Sequence, residues 1–144
     1  MTLEEARTKL EALVKKAYAP YSRFPVAALV VSSSGQIYPG VNVENAGFSL
    51  SLCAERSAVA AMVSAGEREV AKLYLYSPQG PIPPCGACRQ VLAEFALPEA
   101  EVVALGPEGV RVHRLFDLLP WTFRLSSGRV EPGLHGQDRA KEGE

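Results

Sequence analysis

The sequence predicts an α/β domain, a three-layer α/β/α sandwich on a mixed central sheet. Helix-like and strand-like segments alternate along the chain, with enough helices to cover both faces of a sheet. Two pairs of strands are joined by links too short for a parallel return, which needs a dozen or more residues, so those pairs must be antiparallel. One helical segment is apolar on nearly every side, the pattern of a buried helix.

Thr2, followed three residues later by Glu5, fits a capping box, and Leu3, Ala6, Leu10, Leu13, Val14 and Ala17 recur at helical spacing. A helix to about Ala17 is predicted. Pro20 and Pro25 break the pattern and leave residues 18–25 as a loop rich in aromatic side chains. Residues 26–32 and 36–41 read as strands, and Ser33-Ser34-Gly35 between them suits a hairpin with Gly35 at a positive φ. Residues 53–65 form the apolar helix, with Ser51 as its cap and Gly66 as its end. Residues 73–77 read as the next strand and Pro81-Ile82-Pro83-Pro84 as a rigid loop. Residues 86–96 follow as a helix with Val91, Leu92 and Phe95 facing the core. Residues 102–105 and 110–113 are strands separated only by Gly106-Pro107-Glu108-Gly109. One domain is expected over residues 1–126. Residues 127–144, with Gly128, Gly133, Gly136 and Gly143 among mostly polar neighbours, are expected to form a partly disordered tail.

The 144 residues carry 15 Lys+Arg against 16 Asp+Glu, a formal net charge of −1. A domain of this length hides roughly two-thirds of the surface its unfolded chain exposes, enough for a core without disulfides. No apolar run approaches the ~20 residues of a membrane helix. The start, Met1-Thr2-Leu3-Glu4-Glu5, is acidic where a secretory signal is basic and then apolar, so a cytoplasmic location is expected. A sequence pI near 6.2 argues against a nucleic-acid polymer as partner, because such binding draws its affinity from Lys and Arg laid along phosphates. A nucleotide-like partner should be small.

Three cysteines, Cys53, Cys85 and Cys88, are too few and too odd in number for a disulfide framework. Cys85 and Cys88 alone could be half of a structural zinc site, a redox pair or two packed small side chains. Cys53 adds a third thiol, also at a predicted helix start. Two helix N-termini favour thiolates, and three thiolates converging there favour zinc. A structural zinc takes four protein ligands, whereas a catalytic one keeps a position open. The histidines available, His113 at a strand end and His135 in the tail, read as surface groups, which leaves the site open. Glu55 alone would be a first-turn Glu favoured by the helix dipole. Beside an open zinc it is placed to take a proton from a metal-activated water and hand it on. Three thiolates and Zn²⁺ sum to −1, and Arg56 could offset that charge by donating to sulfur, or be an exposed helix-surface arginine.

Cys53-Ala54-Glu55-Arg56 followed by Pro84-Cys85-Gly86-Ala87-Cys88-Arg89-Gln90 resembles the small homotetrameric zinc-dependent cytidine deaminases. The resemblance extends to Tyr21-Ser22-Arg23-Phe24, Asn42-Val43-Glu44-Asn45-Ala46 and Leu118-Leu119-Pro120-Trp121-Thr122-Phe123, covering roughly residues 3–125. It implies one zinc per chain on Cys53, Cys85 and Cys88. Glu55 would deprotonate the activated water, which attacks C4 of the pyrimidine, and carry protons to N3 and the departing amine. Phe24 would stack on the base, the Ala54 backbone would contact it, and Asn42 and Glu44 would bind the ribose hydroxyls. Phe123 would enter a neighbouring subunit's site. The implied function is hydrolytic deamination of free cytidine and 2′-deoxycytidine in pyrimidine salvage. Ala27 stands where the family often has Gly, and Pro83 where Ser or Thr is common. The rival readings are a blasticidin-type deaminase, against which Asn42 and Glu44 speak, and a non-catalytic zinc or thiol-redox module, which has no need of Glu55.

Overall fold

The Thr2 hydroxyl accepts the Glu5 N–H at 3.1 Å and the Glu5 carboxylate accepts the Thr2 N–H at 3.2 Å, closing the expected capping box on helix α1, Leu3–Leu13. The structure, a computed structural model, describes residues 1–126 and 128–130 of the chain. The α-helix ends short of Ala17 because its last turn tightens into a 3₁₀ turn, Val14–Lys16, in which the Ala17 N–H bonds to Val14 O, three residues back. Strands β1, Ala27–Ser32, and β2, Ile37–Val41, form the predicted antiparallel hairpin. Gly35 sits in its turn at φ +89°, where a side chain would be strained.

Helix α2, Ala54–Ser64, starts at Cys53 and not at a Ser51 cap; the Ser51 hydroxyl instead accepts the Asn45 N–H at 3.2 Å. Gly66, at φ +94°, ends the helix as expected. Burial on every side is corrected at Ala60 and Ser64, which are exposed, since the sheet covers only one side of α2. Strand β3, Val70–Tyr76, begins before the predicted residue 73. Helix α3, Gly86–Phe95, runs straight into strand β4, Ala96–Leu105, which starts six residues before the predicted 102. Ala96 pairs with Val70 and Glu101 with Lys72, so the intervening residues, Pro98 among them, form an irregularity in the ladder that hides the strand's start from its sequence. Strand β5, Val110–Arg114, a one-turn helix α4, Leu115–Leu118, and a small hairpin of β6, Leu125–Ser126, with β7, Arg129–Val130, complete the described chain. That hairpin crosses the expected boundary at 126. The rest of the expected tail, His135 included, lies outside the described residues.

The sheet order is β2-β1-β3-β4-β5, with β3 and β4 parallel and the other neighbours antiparallel. Alternate residues of the central strands serve opposite faces. Ala27, Leu29, Tyr74 and Leu105 pack under Ala6, Leu10 and Val14 of α1. Ala28, Val30, Leu73 and Leu75 pack under Ala58, Val59 and Met62 of α2 and Leu92 of α3. This is the predicted three-layer arrangement. Among the described residues, no helix is long and apolar enough to cross a membrane.

Gly40 of β2 sets how closely α2 approaches the sheet. A Cβ there would overlap the Ala54 carbonyl oxygen and the Ala58 amide nitrogen, both helix backbone that cannot swing aside. Gly40→Ala is therefore expected to push the N-terminal turn of α2 outward and to destabilise by the ~1–3 kcal/mol of an overpacked core. Chemical denaturation of the two proteins measures this.

Candidate active site

The two longer helices on one face of the sheet, α2 and α3, begin at a cysteine. Cys53 is the N-cap of α2, Cys85 that of α3, and Cys88 lies in the first turn of α3. Backbone pairing brings the first of these into place: Val43 and Leu52 exchange N–H···O bonds at 2.9 and 2.8 Å, while Tyr18 accepts the Glu44 N–H at 2.8 Å and donates to Asn42 O at 3.0 Å. The same ladder turns Asn42 and Glu44 towards the loop at 18–25. Pro84, buried before Cys85, holds the second ligand loop rigid.

The three sulfurs lie within 4.8 Å of one another. Tetrahedral zinc–sulfur bonds of about 2.3 Å place sulfurs about 3.8 Å apart, so this triad fits a zinc ion with small adjustments. No fourth His, Cys, Asp or Glu among the described residues joins the group. His113 instead lines another hollow with Arg111 and the Pro81–Pro84 segment. Three soft sulfur donors and one open position match a catalytic zinc site.

A cavity of about 250 Å³ opens beside the sulfurs, walled by Phe24, Asn42, Cys53, Ala54, Glu55 and Pro83. Phe24 is half-buried and packs against the core under α2. Glu55 is 5% exposed, and burial pushes its carboxyl above the ordinary range. Burial also raises the thiols of Cys53 and of the fully buried Cys88. Cys85 differs: burial raises it too, but the backbone N–H groups at the start of α3 and the neighbouring sulfurs outweigh that and shift it down. The side chain of Arg56, a half-buried residue one position after Glu55, makes no hydrogen bond to a cysteine sulfur or to another described residue.

Glu44 faces an adjoining hollow that shares Ser22 with the cavity. Its carboxylate accepts the N–H groups of Tyr21 and Ser22 at 2.9 and 3.0 Å and the Ser22 hydroxyl, which together hold it below the usual carboxylate range. The Asn42 amide accepts the Val26 N–H and donates to Phe24 O, each at 2.9 Å. Arg23, within this loop, has φ +56°. A left-handed non-glycine residue costs about 1–2 kcal/mol and persists where its surroundings over-determine it.

The family model for the cytidine and deoxycytidylate deaminase zinc-binding region matches residues 1–104. The chain belongs to this family. It is 44% identical over 96 residues to the cytidine deaminase of Sporosarcina psychrophila, an alignment covering 66% of this chain and 71% of the relative. The crystal structure of a cytidine deaminase from Burkholderia pseudomallei superposes with a TM-score of 0.80 at 44% identity, over 85% of this chain and 100% of that one. A cytidine deaminase structure from Mycobacterium tuberculosis gives 0.76 at 36% identity, over 87% and 99% of the two chains. The family is a zinc-binding one, and the three-sulfur cluster of this chain fits a zinc ion.

Of the residues the motifs nominate, Phe24, Asn42, Cys53, Ala54, Glu55 and Cys85 wall one cavity, with Cys88 buried behind Cys85 and Glu44 in the adjoining hollow. Phe123 is not among them: it is 58% exposed and points its carbonyl at Gln90 Nε2, 2.9 Å away. Sequence reasoning missed the residues that brace the deaminase site. Arg89 donates to Pro84 O and Leu118 O, each at 2.8 Å, tying the second ligand loop to α4. Its signal, and that of Gln90, was adjacency to Cys88; Ser22 stood unassigned within the loop motif.

Proposed function

We propose that this deaminase-family chain hydrolyses free cytidine and 2′-deoxycytidine to uridine and 2′-deoxyuridine with release of ammonia, the conversion used in pyrimidine salvage. The observation that carries the reading is a buried carboxyl, Glu55, in one cavity with converging cysteine sulfurs and an aromatic ring. Zinc held by Cys53, Cys85 and Cys88 would supply Lewis-acid chemistry, making a water more acidic. Glu55, its carboxyl raised by burial, accepts a proton from the attacking water, passes it to N3 and carries another to the departing amine. Phe24 stacks on the pyrimidine, and the Ala54 backbone contacts the base edge. Asn42 and Glu44 bind the ribose hydroxyls; their place on one side of the same ladder, two residues apart, supports this. Arg56, without another partner among the described residues, is the cation available to offset the −1 charge of three thiolates and Zn²⁺. Every residue given a catalytic or binding role here lies within 1–126, taken as the catalytic domain, with 127–144 as an extension.

A substrate panel tests this. Cytidine and 2′-deoxycytidine should both yield the deaminated nucleoside, and blasticidin S should not turn over. The reverse preference would assign the blasticidin-type reaction, and no product from any would leave a non-catalytic zinc or thiol module.

We further propose a homotetramer in the cytoplasm, where free thiols stay reduced. Phe123, Trp121 and Leu125 are 58, 79 and 56% exposed, and Phe48 and Leu50 are 75 and 72% exposed, an unusual display for one small domain. Phe123 is assigned to a neighbouring copy's site. Phe123→Ala should then cost roughly 0.5–1.5 kcal/mol, about 2- to 10-fold in KM, at unchanged zinc content. Mixing it with inactive Glu55→Ala should restore some sites. A fully active monomer in sedimentation contradicts the assembly.

A further inference from the structure

We propose that Ser22 is a positioning residue that couples recognition of the sugar to stacking of the base. The proposal rests on the reading of Phe24, Asn42 and Glu44 given above. The Ser22 hydroxyl has one proton to donate and lone pairs to accept, and the structure uses both. It donates to Glu44 Oε2 and accepts the Phe24 N–H at 3.0 Å. A single oxygen therefore joins the carboxylate assigned to the sugar and the backbone of the ring assigned to the base. The other end of Phe24 is held by the second sugar residue, since its carbonyl accepts from Asn42 Nδ2 at 2.9 Å. Phe24 is thus gripped at its N–H, through Ser22, and at its C=O by the pair that reads the ribose.

The loop has a reason to need this grip. Arg23, between Ser22 and Phe24, sits at φ +56°, a conformation an arginine does not hold by itself. Its N–H bonds to Ala19 O at 2.9 Å, and the Glu44 carboxylate takes the two N–H groups just before it. Ser22 also lines both the cavity beside the sulfurs and the hollow that contains Glu44, so it stands where the two parts of a nucleoside meet. A sugar hydroxyl that arrives at Glu44 orders the carboxylate, and through Ser22 that order reaches the ring. Removing the Ser22 hydroxyl breaks the relay while leaving Glu44, Asn42 and the ring in the protein.

The test is a cycle between protein and substrate, with cytidine and 2′,3′-dideoxycytidine, which lacks the 2′ and 3′ hydroxyls and keeps the 5′, as the probes. Ser22→Ala is expected to lower kcat/KM for cytidine about tenfold, the scale of one hydrogen bond to a charged group, chiefly through KM. On 2′,3′-dideoxycytidine the same variant should lose less than about threefold, because no sugar signal is there to relay. Ser22→Thr, which keeps the hydroxyl, should restore cytidine turnover. Equal losses on both nucleosides, or no loss on either, would overturn the coupling and leave the sugar reading standing. A wild-type protein that treats the two nucleosides alike would overturn the sugar reading and the coupling with it.

Discussion

Glu55→Gln is expected to reduce kcat for cytidine by at least ~10²–10⁴-fold, the usual contribution of a positioned proton carrier, with fold and zinc content preserved. Gln has the size and shape of Glu, so the first turn of α2 stays packed, but an amide neither accepts the proton of an attacking water nor returns it to a departing amine. Glu55 suits that task for a reason visible in the fold. It lines the cavity from the buried side of α2, and burial raises its carboxyl above the ordinary range, so that it holds a proton more readily than an exposed glutamate. Steady-state kinetics alongside metal analysis and a melting curve test the point. Near-normal turnover in a folded, zinc-loaded variant would remove Glu55 from the mechanism.

Cys53→Ala should abolish zinc binding and, with it, activity. Only Cys85 and Cys88 would remain as ligands, both on one helix start, and the described residues bring no other donor to the group. The loss should also be felt as stability, because Cys53 and Cys85 occupy the N-cap positions of the two helices and a zinc held by both would tie those helix starts together. A ligand held at a concentration about 1,000 times its Kd stabilises by about 4 kcal/mol, so the variant should melt well below the zinc-loaded parent and close to the chelator-treated one. One zinc per chain in purified Cys53→Ala would show that Cys53 is not a ligand and undo the assignment of an open three-sulfur site.

Much of this architecture is written in short-range pattern. Thr2 and Glu5 announce α1 because a capping box is closed within four residues, and Gly35 marks a turn because only its own backbone angle matters. That the three cysteines and Glu55 come together was legible for a similar reason: their residue types suggest metal and proton chemistry, and each sits at the start of a helix that its own neighbours predict. What stayed hidden depends on partners far along the chain. The early start of β4 is decided by Val70, to which Ala96 pairs across an irregular ladder, and not by residues 96–101 themselves. Ser51 looked like a helix cap by type, but Asn45 claims its hydroxyl and Cys53 takes the capping position. Arg89 braces the ligand loop through Leu118, 29 residues away, and Ser22 reaches Glu44 across 22 residues. No local spacing rule signals bonds of that span. The all-round apolar surface of α2 overstated its burial within one chain, since Ala60 faces outward.

The most direct test of the account is to strip the metal from the full-length protein, return zinc in measured steps, and follow conversion of cytidine to uridine at each step. Turnover should be absent from the stripped protein, rise in proportion to bound zinc and level off at one zinc per chain. Full turnover in the stripped protein, or one zinc per chain with no uridine formed, would contradict it.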